Sequence, residues 1–176
     1  MKRQRALLLL VTVMLAFMLG SGVQSSRAQK RGPSTPEERA KAVQLTRALE
    51  ADPLARDSKD ARRWLVTWLT DVPDITVTIC PDYLRPIFNQ DKNYAPDLFF
   101  QMTFSSAAFI IEHPDQANDA VAVNLAGVEG TLKAYEAILK AKPKARWPFL
   151  DELIERRSKG TLEEYVREIN TTKCKG

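Results

Sequence analysis

The chain is poor in the side chains that carry most enzymatic chemistry. It has one histidine, His113, and two cysteines, Cys80 and Cys174, in 176 residues. A Ser-His-Asp or Cys-His device would have to run through His113. That residue stands just before Pro114 at a predicted helix end, where a histidine serves as an ordinary terminal cap. A zinc site of nitrogen and sulfur ligands has almost nothing to draw on. There is no C-x-x-C pair, no G-x-x-x-x-G-K-[ST] or G-x-G-x-x-G phosphate loop, and no G-x-S-x-G elbow around Ser105 and Ser106. The run NQDKN, residues 89–93, opens like a calcium loop, but Tyr94 stands in the place of the turn glycine and Phe100 in that of the bidentate glutamate. Neither a metal nor a cofactor is expected.

A surplus of one charge is also missing. The full chain has 26 Lys and Arg against 22 Asp and Glu, but Lys2, Arg3, Arg5 and Arg27 all lie in the first 28 residues, which hold no acid. Without that segment the two signs are equal. The denser basic runs, 140–146 and 155–159, fall near helix ends, where cations suit the dipole. Nucleic acid is therefore not an expected partner.

What stands at the start is a targeting signal. Lys2, Arg3 and Arg5 precede 14 uncharged residues, Ala6 to Leu19, and a small-residue region ending Ser26-Arg27-Ala28. This order predicts a secretory signal peptide over residues 1–28, cut between Ala28 and Gln29. The apolar run falls short of the roughly 20 residues a spanning helix needs, so no stable membrane span is expected after cleavage. The mature protein would be periplasmic or extracellular. Its 148 residues suit one domain: a flexible N-terminus over 29–35 and a single helical domain over 36–176.

Helix signals then recur. Thr35, Pro36, Glu37 and Glu38 make a helix start, and Asp52-Pro53 a stop. Ser58 is a candidate cap for a second helix, with Trp64, Leu65, Trp68 and Leu69 on one face. Residues 75–80, ITVTIC, have the β-branched content of a strand, yet no second run offers a partner. The segment 75–88 reads as a helix or two short turns. From Leu98 to Ile111 no charge interrupts 14 residues, which predicts a central, buried helix. The longest helix is expected over 116–142, where Val121, Leu125, Val128, Leu132, Tyr135 and Leu139 form one stripe. Gly127, Gly130, Ala134, Ala137 and Ala141 form another. Two glycines cost roughly 1 kcal/mol each inside a helix, and close approach of the 98–111 helix is the compensating gain proposed for them. A helix from Pro148 to about Ser158 follows. Thr161 and Glu164 read as a capping box for the last one. The class is all-α, an irregular bundle of six or seven helices or stacked helical hairpins.

ALEADP (48–53) and YEAILKAKP (135–143) resemble the end of the second helix of a tetratricopeptide repeat, with its Tyr, Ala-Leu and closing Pro. The resemblance covers about 15 residues in two places. The first-helix signature is missing and the spacing is not a multiple of that repeat. It implies helical hairpins rather than membership.

In an oxidising compartment the two cysteines are expected to pair. A Cys80–Cys174 bridge would tie the last helix to the segment after the second. Free thiols or an intermolecular bridge are the alternatives.

Two functions remain open. The first is non-catalytic binding or scaffolding for an envelope or secreted protein, a peptide or a small apolar ligand. Tyr83, Phe88, Tyr94 and Trp147 are its surface candidates, although aromatics more often pack in the core. The second is a hydrolase or lyase using carboxylates near Asp71, Asp74 and Asp82; Glu112, Asp115 and Asp119 form a further acidic group. Aspartates at turns need no such role. Two carboxyl groups converging on one point would favour the enzyme, and a continuous apolar groove the binder.

Overall fold

The computed structural model describes residues 31–174, and the expected signal peptide with its Ala28/Gln29 cut lies outside them. The described residues form six α-helices and no strand. Among them no helix is long and apolar enough to cross a membrane.

Helix α1, Pro36–Ala51, begins with a complete capping box, Thr35 Oγ1 accepting from the Glu38 N–H and Glu38 Oε2 from the Thr35 N–H. Helix α2, Ser58–Asp71, starts one residue earlier than expected. Ser58 is its first residue, and its hydroxyl accepts from Arg62 instead of capping. Residues 31–35, read as the end of a flexible N-terminus, carry contacts: the Ser34 N–H and hydroxyl both donate to Asp74, at 2.8 Å each.

The segment 75–88 holds no α-helix, and only its second half forms turns. Residues 75–80 are extended, and a 3-10 turn, Pro81–Leu84, and further turns follow. Its β-branched side chains resist helix, and both ends are anchored. Asp74 is held by Ser34 and Arg39, and Cys80 is bridged to Cys174, with Cα atoms 5.7 Å apart.

Helix α3, Ala95–Glu112, is the central buried element. The loop before it places Asn89, Asn93 and Tyr94 at positive φ, a left-handed conformation that non-glycine residues adopt at some cost. Asn93 is pinned there by two bonds. Its side chain donates to the Arg146 carbonyl, and its own carbonyl accepts from the Trp147 ring N–H. Helix α4, Ala120–Ala141, is the longest at 22 residues. It starts later than 116 because Asp119 accepts from the Val121 and Ala122 N–H groups, fixing the first turn. Helix α5, Pro148–Ser158, and helix α6, Leu162–Thr172, complete the chain. The expected Thr161–Glu164 box is not formed. Gly160 turns at φ 73, and the Thr161 hydroxyl is spent on the Arg156 carbonyl at the end of α5. The repeat-like stretches 48–53 and 135–143 close α1 and α4, which are not consecutive.

The contact between α3 and α4 is the glycine contact expected from sequence. A Cβ on Gly127 would lie 2.9 Å from the Met102 carbonyl, and one on Gly130 would collide with the Ser105 side chain. Two cores flank this pair. One gathers Tyr83, Leu98, Met102, Leu132, Tyr135, Trp147, Leu150 and Val166 among others. The other gathers Leu49, Leu65, Trp68, Val72, Ile75, Phe104 and Ile110.

Candidate functional site

The aromatic candidates are core residues in the main. Tyr83 is fully buried, and its hydroxyl donates to Asn170 Oδ1 at 3.1 Å. Burial pushes its phenol up to about 12. The same cause raises Tyr165, whose hydroxyl donates to the Tyr83 carbonyl, to about 12. Trp147 is buried, its main-chain N–H donating to the Tyr135 hydroxyl, which in turn donates to Asp151. Half-buried Phe88 packs on Phe99, ring centres 5.0 Å apart, and half-buried Tyr94 lies against the same core. Tyr83 and Trp147 therefore present no surface, the first covered by α6 and the second tied to the loop before α3, whereas Phe88 and Tyr94 keep part of theirs.

The carboxylates do not share one partner set. Asp74 binds Ser34 and Arg39. The Ser34 main-chain N–H, with help from the Ser34 hydroxyl and Arg39, holds its carboxyl down at about 2. Asp82 accepts from Arg85, and Asp71 is exposed at the end of α2. Glu112 pairs with Arg47, and Asp119 caps α4. His113 ends α3 with its ring 4.6 Å from that of Phe109. Ser105 donates to the buried Glu50 carboxylate and Ser106 to the Val123 carbonyl. Ser105 is thus spent on α1 and Ser106 on α4.

Two large hydrophobic side chains stay exposed among the described residues, Val66 at 39% and Phe100 at 45%. Both line the same groove of about 210 Å³, with Leu69, Ile75, Val77 and Phe104. Its remaining lining is Thr70 and Thr103, so no charged side chain enters it. Helix α2, helix α3 and the extended segment all contribute to its lining. Along that segment Ile75 is buried and Val77 half-buried, while Thr76 and Thr78 are exposed. This is the alternation of a half-buried strand. Among the described residues the main chain of 75–79 makes no hydrogen bond, so its amide and carbonyl groups are left to solvent or to a partner.

Sequence reasoning did not single out Val66 or Phe100. A signal was present for Phe100: an apolar run with no polar face has more sides than neighbours to cover them. For Val66 there was none, because one valine outside an apolar stripe is common. Comparison with family models, with curated proteins and with solved structures gave no match, so the reading of the site rests on its own geometry.

Proposed function

We propose that the chain is an exported, non-catalytic binding module whose groove takes an extended, apolar segment of a partner polypeptide. One observation carries the reading: the two exposed large hydrophobics flank a single groove, beside a stretch of main chain with unused hydrogen-bonding groups. An extended peptide laid along 75–79 would add a strand to it, drawing affinity from main-chain hydrogen bonds and selectivity from alternate side chains entering the groove. The uncharged lining favours valine-like side chains over charged ones. The Cys80–Cys174 disulfide is compatible with export, since such bonds persist in oxidising compartments. The hydrolase or lyase reading through Asp71, Asp74 and Asp82 is less favoured, because Asp74 and Asp82 are each engaged by a different arginine.

The test is an amide NMR titration of the oxidised protein with a short blocked peptide of alternating valine and threonine. Saturable shifts are expected along 75–79 and at Val66 and Phe100. Phe100→Asp should weaken binding by about tenfold or more, as loss of one buried aromatic contact implies. N-methylation of the alternate peptide amides should do the same. Absence of saturable shifts, or equal binding by Phe100→Asp, would sink the reading.

A further inference from the structure

A second pocket, of about 330 Å³, lies against the extended segment. Thr76, Thr78, Asn118, Asn124 and Asn170 line it, together with the Cys80–Cys174 disulfide. The rest of the lining is apolar or is the buried Tyr83, and no Asp, Glu, Lys, Arg or His contributes.

Asn124 is the unusual member. Only 5% of it is exposed. One end of its amide donates to the Ala120 carbonyl at 2.8 Å, and the other, Oδ1, has no partner among the described residues. A buried amide left half-bonded is costly, and such groups are seldom left so without a reason. The Ala120 carbonyl can only accept, so it fixes which end of the amide is the donor; turned over, the amide would set two oxygens face to face. The neighbouring polar groups are amides and hydroxyls, which both donate and accept. The first turn of α4 is not an anion site here, since Asp119 already takes its Val121 and Ala122 N–H groups.

We propose that this pocket binds a small neutral molecule that offers an N–H or O–H donor to Asn124 and an acceptor to the surrounding amides and hydroxyls, the chemistry of a carboxamide or blocked peptide. An ion is disfavoured because no opposite charge lines the pocket to offset its desolvation. The volume is at the lower end for a small-molecule site. Apolar Ile110, Ala117 and Val123 would take the ligand's carbon skeleton.

The probe is N-acetyl-alanyl-alanine methylamide, titrated into the full oxidised chain while the side-chain amide signals of Asn118, Asn124 and Asn170 are followed. Saturable shifts are expected there, away from Val66 and Phe100, which separates this result from groove binding. The corresponding free acid should bind about tenfold more weakly or worse, as an uncompensated charge implies. Asn124→Leu, close in size, should lose the binding while keeping or raising the melting temperature. Thr78→Val, at the exposed rim, should weaken binding several-fold and keeps the proposal falsifiable if Asn124→Leu does not fold. No saturable shift, shifts unchanged in both variants, or equal binding of acid and amide would overturn it, leaving an amide satisfied by water alone.

Discussion

The two cores on either side of the α3–α4 pair are closed by different means. On the side of α5 and α6, Tyr83, Tyr135, Leu132, Leu150 and Val166 are all fully buried. Tyr83 bonds to Asn170, Tyr165 to the Tyr83 carbonyl, and Tyr135 to Asp151 and Trp147. The disulfide then locks α6 over them. On the side of α1 and α2 there is no covalent closure. Trp68, Leu65 and Phe104 are buried, but the edge is left as an open groove with Phe100 and Val66 on its rim. Polar contacts also tie this side together, Asp74 to Ser34 and Arg39, and Glu50 to Arg47, Lys133 and Ser105. The side built for stability is closed by a crosslink and saturated tyrosines. The side left open keeps apolar side chains uncovered at its edge.

The largest loss of stability is expected at the disulfide. Cys80 and Cys174 are 94 residues apart, and a loop of that size is worth up to about 4.7 kcal/mol in the chain-entropy picture, often less in practice. Cys174→Ser is expected to lower unfolding free energy by about 3 kcal/mol. A reductant should then lower the melting temperature of the wild type and leave the variant unmoved. A wild type indifferent to reductant would mean that α6 is held by packing alone.

The seam between the cores should be the next most sensitive place. Gly130→Ala would bring a methyl onto the Ser105 side chain and within 2.8 Å of Glu50 Oε1. Ala is the better helix former by about 1 kcal/mol, yet the new methyl would meet the Ser105 Cβ, which is fixed to α3, and such overpacking typically costs about 1–3 kcal/mol. A net loss of about 1–2 kcal/mol in a denaturant titration is expected. A gain would show that α3 and α4 can separate freely.

The smallest effect is expected at the open side. Asp74→Asn should cost about 1 kcal/mol at neutral pH, since the site is partly exposed and screened. The sign with pH follows from the carboxyl's shift from 3.8 to about 2. A lowered folded-state value gives stability that is present above about pH 4 and is lost as pH falls toward 2. The wild-type and variant stability curves should therefore converge in that window and stay parallel above it. Parallel curves down to pH 2 would mean that Ser34 and Arg39 do not hold Asp74 in solution.

Much of the helical frame was legible because it is written in local signals. Thr35-Pro36 and Asp52-Pro53 bracket α1, Pro114 and Pro143 punctuate α3 and α4, and Gly127 with Gly130 mark the contact between those two helices. The failures share a cause. Thr161 has the residues of a capping box, but its hydroxyl found a nearer carbonyl at Arg156 across the Gly160 turn. Residues 75–80 have strand composition and no strand partner, and only the anchors at Asp74 and Cys80 explain how an extended segment persists there. Tyr83 and Trp147 looked like surface aromatics because they sit in irregular sequence, yet their polar atoms are satisfied by Asn170, Asn93 and Tyr135, distant in the chain.

The helical class, the helix boundaries marked by proline and the scarcity of catalytic side chains were legible in the sequence alone, which left the pairing of Cys80 with Cys174 as one of three alternatives. Those are consequences of local backbone preference and of composition. Which apolar residues stay uncovered, which buried amide lacks a partner and which carboxylates remain apart were decided by the tertiary structure. Each depends on what a neighbouring element covers, and burial is a property of the packed chain rather than of any one segment. Phe100 and Phe104 sit one turn apart on α3, the first at 45% exposure and the second at 1%. They share one face of α3 and line the same groove, and the difference between them is how much of the neighbouring chain covers each position.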